Sequence, residues 1–541
     1  MTIGRDGQLL GTDAGQSGPG PAGDAGTEAA GQVTPGAMVT PEDDAAARED
    51  GAELAPSRAI RPDWVPWLIA LAVFAAYLPI SVYRYERLDP TSWDLGIFTE
   101  YVKQYAHLHA PIVDIRGAGF NLLGDHFHPI VALIAPFFRL FPSAITLLVA
   151  QALLAAVSVV PVSRAAADKL GTGAGRAIGA AYGFSWGLQQ MINFDFHEIA
   201  FAVPLLAFSL SALVRGRYRA AIVWALPLVL VKEDQGFTLA AIGIIITLVY
   251  RRPRAGMFLA VWGLAWSLLA ITVIIPHFSP THQYLYWSDV RAPGAHLSLS
   301  GLVSQLFAGA PTKVPTLVMI VLPTAFIALR SPLALATVPS LLIRFVGTNN
   351  NYWGTDWHYN ATVMPIVFIA AIDAMARIRA ARQAEPAGRP GVAEAARKPG
   401  MIAIGMERYG AAMMLAIAGA LAFQFPLSQL WTPSTYTVDQ HVHAAQTAMA
   451  LVPSGATVST DLDLLAPLAA RTDTYWLGNS GSNPPTQYVV FDTESTDYQP
   501  PPTNVLGFVE SLNHGARYRQ IFSDNGVYVF IRTSGTASGT G

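Results

Sequence analysis

Four short polar clusters carry the residue types that could do chemistry in an otherwise apolar sequence. Asp94 follows Trp93, His126 and His128 follow Gly124-Asp125, Asp195 and His197 precede Glu198, and Lys232 heads Lys232-Glu233-Asp234-Gln235. In extended backbone, residues two apart share a face, so His126 faces with His128 and Asp195 with His197. With no cysteine in the chain, Asp94, His126, His128, Asp195 and His197 are the donor set that a divalent cation (Mg, Mn or Zn) would use. A polar pair at a water interface explains the same spacing. Asp94 opens a helical pattern of apolar residues (Leu95, Phe98, Val102, Tyr105). There a carboxylate either caps the helix or accepts a proton from an incoming hydroxyl.

Lys232 lies with two acids at an apolar boundary, where charges are costly unless paired. It either pairs locally or meets a phosphate. Arg344 sits near the end of an apolar stretch and either snorkels or meets an anion. Trp357, His358 and Tyr359 close a polar, aromatic loop that suits an interfacial belt or a sugar-binding platform equally well. Trp93 and Glu198 are the further candidates for contact with substrate.

The elements that must position these groups are membrane helices. The chain is 52% hydrophobic and 13% charged, against about 25% charged for soluble domains. The net charge of -3 and the absence of a basic block give no footing for nucleic acid. About eleven apolar segments read as spans: 64–83, 143–163, 176–192, 199–214, 219–231, 236–250, 256–276, 313–330, 332–346, 359–377 and 405–428. Stretch 129–140 is apolar but too short to cross and reads as interfacial or re-entrant. The helix at 94–108 is expected to lie along the membrane surface.

The loops alternate in character. Arg164 to Arg176, Arg215 to Arg219, Arg251 to Arg254, Arg330 and Arg377 to Lys398 are basic, and basic loops stay cytoplasmic. All 12 histidines fall in the opposite loops or in the C-terminal region. The expected organisation is a disordered cytoplasmic tail over 1–60 and a transmembrane domain over 61–430 with an outer loop at 84–142. A cytoplasmic linker over 380–404 precedes a small extracytoplasmic α/β domain over 432–535. In that domain Asn525-Gly526 between two alternating segments predicts a hairpin. Gly175, Gly179 and Gly183, four apart, predict close helix packing rather than a phosphate cradle.

Trp93-Asp-Leu-Gly-Ile-Phe98, Asp125-His-Phe-His-Pro129, Phe194-Asp-Phe-His-Glu198, Val231-Lys-Glu-Asp-Gln-Gly236 and His358-Tyr359 occur together in this order. Over roughly 62–535 the chain thereby resembles the bacterial integral-membrane family DUF2079, which is similar to the GT-C glycosyltransferases. The resemblance implies a sugar donor on a polyprenyl phosphate, and Asp94 as general base or metal ligand. The adjacent acidic pair of the mannosyl- and aminoarabinosyl-transferase branches is missing here, because Trp93 precedes Asp94.

Elementary chemistry points the same way. Nucleotide sugars are cytoplasmic, so an outward-facing transferase needs a lipid-borne donor from the membrane and a glycan, lipid or protein acceptor. The attacking hydroxyl needs a base, and the leaving phosphate needs positive charge from Lys232 or Arg344. A single displacement inverts the anomeric centre. The alternative is a polytopic transporter or lipid flippase, but that class places its sites near the bilayer midplane, which here carries almost no charge.

Overall fold

Apolar runs without interruption set the first element: Val65–Glu86 (α1) begins after Trp64 and keeps helical spacing through Pro79. The structure, a computed structural model, describes residues 63–89, 92–290, 298–383 and 399–534. The tail expected over 1–60, most of the linker expected over 380–404, and His296 lie outside them. Among the described residues, five helices are long and apolar enough to cross a bilayer: α1, Ala144–Leu170, Pro253–Phe278, His358–Gln383 and Met401–Leu421. Leu299–Phe307 and Ala310–Thr324, bent by 71° at their junction, make a sixth if counted as one span. Glu198–Val214, Tyr218–Leu230, Gln235–Leu248 and Pro332–Val346 are shorter apolar helices, as is Pro129–Leu140. Each segment expected as a span coincides with helix, but several are broken or fall below a full span's length.

Small residues let these helices touch. A Cβ on Gly175, Gly179 or Gly183 would lie 2.6–2.7 Å from Ala167, Ser163 or Val73, so this stripe packs the segment against its neighbours as its spacing predicts. A second stripe went unnoticed in the sequence. Gly236 and Gly243 on one helix face Gly263 and Gly256 on the next, and a Cβ on Gly263 would stand 2.3 Å from the Gly236 carbonyl oxygen. Seven-residue spacing on both helices holds the two backbones in contact at two levels. Ser267 Oγ then donates to the Glu233 carbonyl (2.5 Å), which pins the turn before Gln235–Leu248. The nearest obstacle to Gly263→Leu is backbone, the Gly236 carbonyl oxygen, and not the end of a flexible side chain. The substitution is expected to lower stability by about 3 kcal/mol, the upper end for overpacking. Gly405→Leu, at a glycine with open space around it, is expected to leave the Tm of purified protein unchanged.

Helix α2 (Ser92–Ala106) exists where the pattern predicted it, but it does not lie free on a surface. Leu95, Phe98 and Val102 are buried as expected, and so are Ile97, Thr99, Glu100 and Tyr101. The second covering comes from the C-terminal domain.

That domain is a five-stranded sheet of order β2-β1-β3-β5-β4: β1 Thr457–Thr460, β2 Asp473–Trp476, β3 Tyr488–Asp492, β4 Arg517–Asp524 and β5 Val527–Ser534. β1 pairs in parallel with β2 and β3, and β5 runs antiparallel to β3 and β4. Asn525 and Gly526 both have positive φ (41° and 81°), as a two-residue hairpin turn requires. Val490 faces a core with Val458 and Leu468, while Val489 and Phe491 face one with Val509 and Phe530, following the period of two. Leu465, Ala466 and Ala469 belong instead to the large core that contains α2 and the membrane helices. The sheet is therefore docked, not tethered.

Candidate functional site

The polar clusters converge because six chain segments meet around one cavity. The start of α2 brings Trp93 and Asp94. A loop closed by the Ile112–Asn121 bridge brings Arg116, Asp125, His126 and His128. A Cβ on Gly124 would lie 2.5 Å from the Phe278 carbonyl oxygen, so this loop presses directly on the end of helix Pro253–Phe278. The turns at 195–198 and 232–235 bring His197, Glu198, Lys232 and Glu233. Segments 284–287 and 344–359 supply Tyr284, Tyr286, Arg344, His358 and Tyr359. All these groups from Trp93 to Tyr359 line one cavity of about 390 Å³, with Phe237, Ile271 and Ile343 as an apolar flank. Ile271 lies in a π-helical turn (Ala270–Ile274), a break common at functional sites.

Most charges in the cavity are matched. Arg116 Nη2 lies 3.2 Å from Asp125 Oδ1, which also accepts from Tyr286 OH (2.9 Å). Glu233 takes four groups at once. His126 Nδ1 is at 2.7 Å, the Phe127 N–H donates at 3.1 Å, Tyr284 OH donates at 2.9 Å, and Lys232 is close enough to act on it. Burial opposes ionisation of Glu233, but His126 and Lys232 outweigh it and hold the carboxyl at about 2. The same pairing raises His126 above its ordinary value against the pull of burial. Glu198, fully buried, lies 3.0 Å from Lys232 Nζ and 2.7 Å from His197 Nδ1. Burial pushes His128 down to about 4, leaving it neutral at pH 7, with Nδ1 against Tyr101 OH at 3.2 Å.

Three charges that line the cavity make no ion pair among the described residues: Asp94, Arg344 and Asp234, whose Oδ1 accepts from Gln235 Nε2 (3.1 Å). Asp94 has no ion-pair partner among the described residues, and burial raises its pKa, with His197 and Lys232 opposing the rise and Glu198 adding to it. Arg344, 6% exposed, donates from Nε to the Tyr352 carbonyl (2.9 Å). Its Nη1 donates to the Tyr359 carbonyl and Asn360 Oδ1 (3.3 and 3.1 Å). Nη2 is buried with no partner. Beside it, His358 is 1% exposed and stacked on His197 at 3.8 Å. Both of its ring nitrogens lack a partner.

Set against the sequence reading, Trp93, Asp94, His126, His128, His197, Glu198, Lys232, Arg344, His358 and Tyr359 share the cavity; Asp195 and Trp357 do not line it. The Asp195 carbonyl accepts from Gln151, and Trp357 packs edge-on against Phe194 (5.3 Å). Asp94, His126, His128, Asp195 and His197 do not meet as one ligand sphere. Glu233 takes His126, Tyr101 takes His128 and Glu198 takes His197. Among the described residues no group of three or more His, Asp or Glu is placed to hold a metal ion. Lys232, read as a phosphate ligand, is turned to Glu198. Arg116, Tyr284, Tyr286 and Tyr352 were missed. Alternation of Tyr284 and Tyr286 in an aromatic loop was the one available signal.

The family described as "Predicted membrane protein (DUF2079)" matches residues 84–529. Among solved structures, the crystal structure of ArnT from Cupriavidus metallidurans bound to undecaprenyl phosphate is similar at TM-score 0.51 and 13% identity, over 88% of this chain and 98% of that one. The cryo-EM structure of the arabinosyltransferase EmbB from Mycobacterium smegmatis gives TM-score 0.34 and 15% identity, over 69% and 39%. No curated protein matches. The likeness to ArnT is one of fold, and it agrees with the GT-C-like arrangement that the motifs implied.

Proposed function

We propose, for a chain that belongs to the DUF2079 family of predicted membrane proteins, a glycosyltransferase that moves a sugar from a polyprenyl-phosphate donor to an extracytoplasmic glycan, lipid or protein. One observation carries the reading: a cavity whose other charges are largely matched keeps an unpaired carboxylate, Asp94, and a buried guanidinium with a free donor, Arg344. Desolvated charge without a partner is costly. A substrate that brings a hydroxyl to one and a phosphate to the other removes both costs. The bound undecaprenyl phosphate of ArnT, a protein of the same fold, makes that class of lipid the first donor to test.

In the proposed reaction the acceptor hydroxyl gives its proton to Asp94 as its oxygen bonds to the anomeric carbon. The bond from that carbon to the phosphate oxygen breaks, and the sugar inverts. The negative charge left on the polyprenyl phosphate is received by Arg344 Nη2, with His358 as a further hydrogen-bond partner. Phe237, Ile271 and Ile343 suit the first isoprene units. The scheme is written without a cation, because among the described residues no group of three or more His, Asp or Glu is placed to hold one.

The test is a panel of synthetic polyprenyl-phosphate monosaccharides given to purified protein with membrane extract as acceptor source. Consumption of one of them with release of polyprenyl phosphate supports the proposal. No consumption, together with movement of the intact lipid across proteoliposomes, would favour the flippase. We place the basic loops inside and the sheet domain outside, across about eleven apolar segments. In this cysteine-free chain, Thr172→Cys is then expected to be shielded from an impermeant maleimide added to whole cells, and Ser482→Cys to be labelled. The reverse pattern sinks the orientation.

A further inference from the structure

The sheet domain has no side chain in the wall of the cavity, yet it grips two of the segments that form that wall. The Trp476 ring, at the end of β2, stands edge-on to Trp93 with centroids 4.7 Å apart. Its indole N–H donates to Asp497 Oδ2 (2.8 Å), an oxygen that also accepts from the Leu462 N–H (2.9 Å). The indole is thus fixed from within its own domain before it meets Trp93. One turn along α2, Gly96 lies so close to the domain that a Cβ there would be 2.9 Å from Leu465 Cβ. Two turns further, Lys103 Nζ donates to the Thr472 carbonyl (2.6 Å). Asn479 Nδ2 donates to the Ile115 carbonyl (3.0 Å), next to Arg116, and the Arg116 guanidinium lies over the Trp93 ring at 5.9 Å.

Trp93 is therefore held between an indole behind it and a guanidinium beside it, and Asp94 is the next residue. The start of a helix is restrained less by its own backbone than its middle is, because its first N–H groups have no intrahelical partner. We infer that Trp476 is a positioning residue for Asp94: the C-terminal domain sets where the carboxylate stands without touching substrate. Precision of this kind matters chemically, since a displacement of about 1 Å can cost about 10²-fold in rate. The chemical consequence rests on Asp94 acting as the base; the structural claim does not.

The experiment reads position without needing transfer. In the cysteine-free chain, Asp94→Cys is alkylated with a small water-soluble maleimide, and Ile343→Cys, on the Arg344 side of the cavity, serves as the reference. Adding Trp476→Ala is expected to raise the rate at position 94 by about tenfold, the effect of about 1.4 kcal/mol of easier local opening, and to leave position 343 within about twofold. Trp476→Phe, which keeps an aromatic edge against Trp93, is expected to restore most of the protection. An unchanged rate at 94, or equal rises at 94 and 343, overturns the proposal. If Trp476→Ala does not fold, Asp497→Asn with the same two cysteines replaces it. That change keeps the ring and weakens its anchor; a rise of about threefold at 94 alone supports the proposal, and none overturns it. On the native Asp94 background Trp476→Ala is expected to lower kcat while the donor KM holds. Should the labelling result stand and no sugar be transferred by wild type, the transferase reading fails and the positioning role survives.

Discussion

Asp94→Asn is expected to lower kcat for transfer from the polyprenyl-phosphate sugar by about 10²–10⁴-fold, the range for loss of a general base, with little change in donor KM. The substitution keeps size and hydrogen-bonding shape and removes only the capacity to accept a proton. Of the other acids of the cavity, Asp234 accepts from Gln235 and the remaining three are held by partners. Glu233, held at about 2 by His126 and Lys232 against the effect of burial, is too weak a base. Glu198 is engaged by Lys232 and His197, and Asp125 by Arg116 and Tyr286. Burial places Asp94 on the other side of its ordinary value, raised, which makes it a better base. The sign for pH follows. Wild-type kcat falls as pH drops through that raised pKa, because the protonated carboxyl cannot accept, and it levels off above it. Asp94→Asn is expected to lose this acid limb. Wild-type turnover by Asp94→Asn would remove the base from the scheme.

What the sequence could show was whatever depends on neighbours in the chain. The strands of the C-terminal domain alternate with period two, and Asn525-Gly526 demands positive φ at both positions; sheet, hairpin and boundaries followed within a few residues. Gly175, Gly179 and Gly183 announced contact because small residues one turn apart serve little else in an apolar helix. The site was legible as a list for a similar reason: acids and imidazoles are too costly in lipid to sit there idly, so their loops stood out.

The partners were not legible. His126 meets Glu233 from 107 residues away, and Lys232 meets Glu198 from another turn. Such pairings depend on how two spans cross, which local spacing does not encode. Alternation also misled at Asp195 and His197: the turn sends the His197 ring into the cavity and leaves Asp195 off its wall. The covering of α2 was hidden on the same ground. A helix amphipathic by its own residues gave no sign that Leu465 and Trp476, some 370 residues on, cover its other face.

Arg344 carries the second large effect, because it separates the two cations that the sequence treated alike. Lys232 is neutralised by Glu198, and burial alone would depress its pKa; Glu198 first, then Glu233 and Asp234, reverse this and raise it. Removing it strands Glu198, and losing one partner of a buried pair costs about 3–5 kcal/mol. Lys232→Ala is thus expected to appear as lost stability. Arg344 is held by neutral groups, oxygens of Tyr352, Tyr359 and Asn360 and the Tyr359 ring 5.7 Å away, and keeps Nη2 unpaired. Its surplus charge points to a ligand. Arg344→Gln is expected to weaken binding of undecaprenyl phosphate about 10–150-fold, as loss of a charged hydrogen bond worth about 1.5–3 kcal/mol predicts, read by native mass spectrometry of the purified protein. Arg344→Lys restores the charge but not the fork that the two backbone carbonyls fix, so it should recover only part of the loss. Equal affinity in wild type, Arg344→Gln and Arg344→Lys would move the phosphate elsewhere, and the unpaired guanidinium would then have to be read as a strap on the 352–360 loop alone.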